Sequence, residues 1–452
     1  MIPPGAEGFA TGISIDSREV KPGELFLALA GERHDGHDHA ASVVARGVCG
    51  VVLEESKGAA RFKGCPVIAV ENSRRALGLM AARYRGDFDP LMVAVGGSNG
   101  KTTTKEMVAS IFRTRWPVIW SEASFNNDIG VPLSLLRMEA RHRAAVLEAG
   151  TNHPGELAPL LGMIRPRIGV VTNIGREHLE FFGDLEGVAR EEGVMAEALP
   201  RDGVLVLNGD SPHGAGIAAR SRARVVRAGF GPGNEWRAEQ IWTGERGARF
   251  VARGPSAEWS GEYRVPLLGR HQVANALLAM AVAAESGLGR AEVEAGLAAC
   301  PTPKMRLRFE WRSGVGWVND AYNSNPESLR AALETVNGLP CAGRRLAVLG
   351  DMLELGASSV AAHHEAGRGV AEAGLQGLWA VGRWADVMVQ GAKSGGMSGA
   401  VALPDAGAAA AALEEALRPG DIVLLKGSRG SRLERIEELW AERRKEAEVA
   451  TP

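Results

Sequence analysis

Nothing in this 452-residue chain approaches a membrane span: apolar stretches such as Ala276 to Ala284 fall well short of the ~18 residues that a bilayer crossing requires. Net charge is nearly absent. Lys and Arg total 52 against 54 Asp and Glu, a formal charge of -2, so no global field draws the chain to nucleic acid or to an anionic membrane, and an anionic ligand must be held by local groups. Cysteine is scarce: Cys49, Cys65, Cys300 and Cys341 stand apart with no C-x-x-C pair. That excludes a zinc knuckle and a disulfide framework and leaves four reduced, structural thiols. The opening Met1-Ile2-Pro3-Pro4-Gly5 lacks the basic segment and apolar run of a secretory signal, so a cytoplasmic enzyme is expected. No internal repeat is present, and no G-x-G-x-x-G follows a strand-like run.

What is present is globular. With 45% hydrophobic and 23% charged residues the chain sits at the average for folded proteins, and at about 100 to 200 residues per domain it should hold two to four domains. Residues 1–84 alternate short β-rich runs (Leu25 to Leu29, Val51 to Leu53, Val67 to Val70) with helical stretches ending in Ser73 to Tyr84, as a small α/β unit does. The polar bridge Arg85 to Pro90 closes it, and Pro301-Thr302-Pro303 marks a second boundary. Between them, apolar runs Leu91 to Val95, Ala144 to Leu147, Ile168 to Val171 and Val204 to Leu207 alternate with helical segments, the pattern of a parallel sheet covered by helices. The helical pattern lapses between Ala223 and Pro266, which predicts an antiparallel excursion. Residues 304–452 alternate again, as a dinucleotide-type α/β domain does.

The chemistry concentrates at Gly97-Ser98-Asn99-Gly100-Lys101-Thr102-Thr103, between an apolar strand and a helix. Glycines let backbone N–H groups turn to a phosphate, and the following helix adds the positive end of its dipole. Lys101 supplies a point charge for the β- and γ-phosphates, and the Thr102 hydroxyl is placed for Mg²⁺. The general motif wants a glycine where Val95 stands, so the loop is a shorter G-x-x-G-K-T variant. Glu148 ends its strand-like run, from which an acid reaches a loop-bound metal. His178 follows another such run, seven residues after Val171; if both strands flank the loop, the two side chains converge on the phosphate end.

These strings, together with Gly269 to Asn275, Asp320 to Pro326 and Lys426-Gly427-Ser428-Arg429, resemble the ATP-dependent Mur ligase family of cell-wall synthesis, in order and spacing over nearly the whole chain. Phe125 to Pro132, Thr151 to Glu156, Tyr322 to Pro326 and Gly350 to Gly356 are similar to the family member that adds D-alanyl-D-alanine. Asp16-Ser17-Arg18, Lys21-Pro22-Gly23 and Gly31 to Asp38 resemble that member's uridine-nucleotide-binding domain. The resemblance implies an α/β fold in three domains: a small UDP-sugar-binding domain (1–84), a central P-loop parallel-sheet ATPase (85–303) and a C-terminal Rossmann-like domain (304–452). It implies ATP and Mg²⁺ as cofactors, UDP-N-acetylmuramoyl-tripeptide and D-alanyl-D-alanine as partners, and no nucleic acid; the chain is expected to act as a monomer.

The resemblance also implies site residues. Lys101, Glu148 and His178 are catalytic, and Gly97 to Thr103, Asn275, Arg306 and Asp320 contact the nucleotide, with Arg308 open as an alternative to Arg306. Ser17, Arg18, Asp35, Gly36, His37, Asn126, Asn127, Asn152 and His153 face the UDP-substrate. Tyr322, Asn323, Asn325, Asp351 and Glu354 receive the dipeptide, although Asn and Asp also favour turns and caps by type. His363 matches a family histidine, although neighbouring His364 leaves the register open and a helix-surface role is at least as open. Thr102, Glu148 and His178 hold metal. Where relatives carry a lysine carbamylated by CO₂, this chain has Glu192, either a direct metal ligand or a solvated acid on a helix face. Arg432 and Glu434 read as a solvated helix start.

Overall fold

The computed structural model describes residues 10–31 and 34–450. The opening Met1 to Gly5, and Glu32 and Arg33 of the Gly31 to Asp38 string, lie outside the described residues. Two compact units divide the chain: Met1–Ala94, Trp116–Thr151 and Glu156–Pro166 form the first, and Val95–Arg115, Asn152–Gly155 and Arg167–Pro452 the second.

In the first unit the β-rich runs become a four-stranded parallel sheet, ordered Ile13–Ser14, Leu25–Leu27, Gly50–Glu54, Val67–Val70. Phe26, Val43 and Val51 are fully buried on one face of it. Asn72 caps the helix Ser73–Arg85 by accepting the Arg75 N–H, and Leu77 packs with Leu25, Leu27 and Val52. Val118–Trp120 pairs in parallel with Ala144–Glu148.

In the second unit Ile168–Val171, Val204–Asn208 and Arg224–Gly229 run parallel. The order then continues through Trp236–Gly244, Gly247–Arg253 and the edge strand Gly261–Val265, the last two pairings antiparallel. The excursion expected from residue 223 therefore starts with two more parallel strands, Arg224–Gly229 and Trp236–Gly244, before reversing. The helix Arg270–Glu285 follows, apolar around most of its circumference, as a helix buried between layers must be.

A six-stranded sheet in the same unit is ordered Arg308–Arg312, Val315–Asp320, Ile422–Lys426, Arg345–Leu349, Gly377–Val381, Ala400–Leu403, parallel except for its first, antiparallel pair. Apolar clusters cover both faces. Arg432 is not part of the last helix: it holds a left-handed backbone (φ 49°) ahead of Arg435–Ala450, and Glu434 pairs with Arg429 at 2.8 Å. All four cysteines are free thiols.

Candidate active site

The phosphate loop is built on two glycines that nothing else replaces. Gly97 and Gly100 hold φ of 108° and 85°, a left-handed region that costs residues with a Cβ. A Cβ on Gly97 would lie 2.3 Å from Thr172 Oγ1, and one on Gly100 2.6 Å from Asn275 Oδ1. The second contact sets Asn275 directly against the loop, with its Nδ2 donating to Gln272 at 2.9 Å.

Three loop amides are already taken inside the protein. Gly97 N–H donates to Glu192 Oε2 at 2.7 Å, Ser98 N–H to the Asn173 carbonyl at 2.9 Å, and Asn99 N–H to Asn173 Oδ1 at 2.8 Å. The helix Lys101–Arg113 starts at the next residue after Gly100. Lys101 Nζ folds over the loop, donating to the carbonyls of Gly97 (2.5 Å) and Ser98 (3.1 Å) and lying 3.6 Å from the Glu177 carboxylate. Burial pushes the Glu177 carboxyl up, with Lys101 opposing it.

Glu192 is not solvated. It is 1% exposed, and burial pushes its carboxyl up to about 7 while Lys101 and the Gly97 N–H pull it down. The reading of Glu192 as an exposed helix-face acid is overturned. Only tertiary packing against Gly97 could reveal this, because helical acids are ordinarily exposed.

Arg306 stands where a nucleotide contact would be. Its guanidinium lies 4.1 Å over the Tyr322 ring and donates to Thr102 Oγ1 at 3.0 Å. Met305 and Leu307 on either side hold left-handed backbones (φ 56° and 51°), a strained presentation of the kind that clusters at functional sites. Arg308 instead pairs with Glu310 on an exposed edge strand. Asp320 is engaged on both oxygens, accepting the Leu307 N–H at 3.1 Å and pairing with the buried Lys426 ammonium at 2.6 Å. Burial pushes the His271 imidazole down to about 4, with Asp320 opposing.

Residues 95–283 match the Mur ligase middle domain, 307–429 the Mur ligase glutamate ligase domain, and 10–85 the Mur ligase family catalytic domain. The chain belongs to the Mur ligase family. It is 37% identical, over 93% of its length and 90% of the relative's, to the UDP-N-acetylmuramoyl-tripeptide--D-alanyl-D-alanine ligase of Mycobacterium tuberculosis (strain ATCC 25618 / H37Rv). It is 34% identical to the protein of that name from Escherichia coli (strain K12), over 84% of this chain and 83% of the other. A crystal structure of MurF from Acinetobacter baumannii superposes with a TM-score of 0.86 at 31% identity, covering 95% of this chain and 93% of that one. MurF ligase from Thermotoga maritima in complex with ADP superposes at 0.83 with 25% identity, over 96% and 97%. The α/β, three-domain Mur ligase architecture expected from the sequence is thereby established.

In this Mur ligase a cavity of about 290 Å³ is lined by His178, Tyr322, Asn323, Asn325, Glu354 and Arg429, among others. Four of the five residues expected to receive the dipeptide thus share one wall. Asp351 does not line it: its two oxygens accept the N–H groups of Arg383 and Trp384, both at 3.0 Å, so it fixes a turn. His178 and Glu354, both left-handed (φ 50° and 61°), are joined Nδ1 to Oε2. Arg176 pairs with Glu327 (2.7 Å) and Glu365 (3.1 Å). Asn325 caps the helix Pro326–Asn337, and Asn323 Oδ1 accepts from Ser428 Oγ at 3.2 Å. His363 is fully buried, Nδ1 facing the Ser359 carbonyl (2.6 Å) and Nε2 accepting the Met352 N–H (2.9 Å); the helix-surface alternative is overturned.

Within the first unit, Glu148 is buried and accepts from Asn126 Nδ2 at 2.8 Å. Asn127 Oδ1 accepts the Gly130 N–H at 2.9 Å, and Asp35 binds both His37 Nδ1 (2.6 Å) and Lys57 (2.8 Å). His37 Nε2 accepts the Glu54 N–H at 3.1 Å, so both its ring nitrogens brace the Asp35–Gly36–His37 turn. Ser17 lies in the same unit, beside Arg18, which pairs with Asp16 at 2.6 Å. Asn152 and His153 belong to the second unit, where the His153 ring packs 4.1 Å from Phe181. Among the described residues no group of three or more His, Cys, Asp or Glu gathers into a metal cage. Sequence reasoning quoted Arg429 within the string Lys426 to Arg429 but gave it no role in the site, because an arginine in a turn looks like an ordinary surface charge until the cavity is seen.

Proposed function

We propose that this chain is an ATP-dependent amide ligase that joins D-alanyl-D-alanine to UDP-N-acetylmuramoyl-tripeptide in peptidoglycan precursor synthesis. One observation carries the reading beyond family membership. The segment Arg176-Glu177-His178 touches both halves of the chemistry, since Glu177 faces the phosphate-loop lysine while all three residues line the polar cavity. Phosphoryl donor and acceptor amine can therefore meet across a single wall. Residues 1–84 take the UDP-sugar, 85–303 the ATP and 304–452 the dipeptide. The chain works as a monomer in the cytoplasm, and among its described residues no helix is long and apolar enough to cross a membrane. A dimer mass in light scattering would contradict the monomer.

A carboxylate resists nucleophiles because its charge repels them. In the first step its oxygen attacks the γ-phosphorus, the bond to the β–γ bridging oxygen breaks, and ADP departs with that electron pair. The acyl phosphate so formed is neutral at carbon and carries a leaving group. The dipeptide amine then attacks the carbonyl carbon, the C–O bond to phosphate breaks, and the amine's proton passes to solvent. Catalysis is mostly positioning and charge neutralisation. Lys101 moves from the carbonyls of Gly97 and Ser98 onto the terminal phosphates, Arg306 steadies them beside Thr102, and the start of the helix Lys101–Arg113 contributes its dipole.

Mg²⁺ fits the donors present. Thr102 and Glu192 offer hard oxygens beside the loop, and Mg²⁺ is ordinarily held by one or two carboxylates, waters and substrate phosphates rather than by a full protein cage. Within the same unit His178 completes the proposed donor set. When bound, the ion neutralises charge on the β- and γ-phosphates.

Arg429 takes the dipeptide's carboxylate. Of the cavity's cations, Arg176 is held by two acids and His178 by Glu354, whereas Arg429 has only Nη1 engaged, with Glu434 and Met305. Losing a charge-assisted bond of about 1.5–3 kcal/mol in Arg429→Ala should raise the dipeptide KM roughly 10- to 100-fold with kcat little changed; an unaltered KM would remove Arg429 from the site. The test of the whole reading is phosphate release with each substrate omitted in turn. Release is expected only when ATP, UDP-tripeptide and dipeptide are all present. Steady hydrolysis without the dipeptide or the UDP-tripeptide would point to an ATPase that does not ligate.

A further inference from the structure

We propose that the hairpin formed by Trp236–Gly244 and Gly247–Arg253 carries a separate anion site, one that takes a ligand with two or more linked phosphoryl groups. It shares no residue with the catalytic site described above and does not depend on the ligase reading.

The site is a groove of about 620 Å³ at the turn of that hairpin, a size that suits a small ligand. Arg246, Arg249 and Arg264 line it against a single acid, Glu245, a local excess of positive charge in a chain whose net charge is -2. Strand register brings two of the arginines together. Arg249 stands opposite Trp242 on one neighbouring strand and opposite Arg264 on the other, so the three side chains form one row across the sheet. Like charges placed opposite each other in a sheet repel. Glu262 alone answers both guanidiniums, at 3.0 Å from Arg264 and 3.8 Å from Arg249. Arg246, exposed in the turn, pairs with no described residue.

A bulge builds that row. The ladder runs from Arg237 opposite Arg253 to Glu239 opposite Val251 and then shifts, so that Trp242 rather than Ile241 faces Arg249. Gln240, within the shift, holds a left-handed backbone (φ 47°), which residues with a Cβ seldom adopt, and bulges recur where a side chain is re-aimed beside a functional site. Trp242 stays 44% exposed, with the Arg249 guanidinium 4.3 Å from its ring centroid, a stack that restrains the arginine. Guanidinium forks match phosphoryl oxygens and keep their charge at any physiological pH. Three of them around one concave groove suit a compact di- or triphosphate rather than the flat face of a bilayer or a long nucleic-acid backbone. An anion bridging Arg249 and Arg264 relieves the repulsion that Glu262 leaves.

Hydrogen exchange of the full-length protein, with inorganic pyrophosphate as the probe, tests this, because it reads the hairpin and the phosphate loop as separate peptides. Pyrophosphate should slow exchange in the hairpin between Thr243 and Arg249. In Arg246→Gln, and likewise in Arg249→Gln, the concentration giving half that protection should rise roughly 10- to 100-fold, as expected for one lost charge-assisted bond, while the phosphate loop responds as in the parent. Arg246 lies in the turn outside the ladder, so its variant keeps the row and the fold intact. ADP as a second probe separates the sources. Half-protection at a lower concentration than pyrophosphate assigns the groove to a nucleoside diphosphate whose base meets Trp242; equal or weaker protection assigns it to an inorganic oligophosphate. The proposal is overturned if pyrophosphate leaves hairpin exchange unchanged, or if both variants are protected as the parent is. It is overturned equally if sulfate at matched ionic strength protects the hairpin as well, since that is general screening.

Discussion

Lys101→Ala should lower ligation by roughly 10²- to 10³-fold, the equivalent of about 3 to 4 kcal/mol for one preorganised charge in a water-poor site. Two effects compound. The developing charge on the transferred phosphoryl group loses its nearest ammonium, and Glu177 loses the cation that lies 3.6 Å away, so its buried carboxyl moves further up. The loop should survive the loss of the lysine's bonds to the Gly97 and Ser98 carbonyls, because Gly97, Gly100 and Asn173 also hold its geometry. Single-turnover trapping of the acyl phosphate isolates the step: the variant should form it slowly and consume it at a normal rate. Near-parental ligation would remove Lys101 from the mechanism.

Glu192→Gln should raise the Mg²⁺ concentration needed for half-maximal velocity about 10- to 100-fold, in line with lost support around a metal site. The substitution separates two roles that the native carboxylate combines. Glutamine still accepts the Gly97 N–H seen at 2.7 Å, but it carries no negative charge. An unchanged Mg²⁺ requirement would leave Glu192 with the loop amide alone. Glu192→Leu would then be the complementary variant, since an orphaned Gly97 N–H costs about 1–3 kcal/mol and should lower the melting temperature even without nucleotide.

Much of the site was legible because backbone demands write themselves into residue type. Gly97 and Gly100 must be glycine for their left-handed φ and for the approach of Thr172 and Asn275. Asn325-Pro326 announces a helix start by cap and ring together, and the helix begins there. Most of the parallel strands of both units were legible as apolar runs; Ile13–Ser14, Val118–Trp120 and Ala400–Leu403 were not, and Arg224–Gly229 fell in the stretch read as antiparallel. Arg308–Arg312 was not, since an edge strand that alternates Arg, Phe, Glu and Trp looks like a charged loop. Side-chain assignments depended on contacts across long sequence gaps. Glu192 meets Gly97 across 95 residues, and nothing local distinguishes it from Glu191. Asp351 reads as a polar wall residue until its carboxylate is seen closing the turn at Arg383.

The strand Gly261–Val265 stands at the rim of its sheet, with Arg290 Nη2 donating to its Glu262 carbonyl at 3.4 Å. Such a rim invites another chain to continue it. Glu262 and Arg264 point outward from it, their side chains 43% and 73% exposed, between Tyr263 and Val265, which point into the core. A second molecule docking there in register would have to strip water from both charges, so the rim repels copies of itself. Neutralising the pair with threonine would open a route to stacked, insoluble material that leaves catalysis in the remaining dissolved protein untouched.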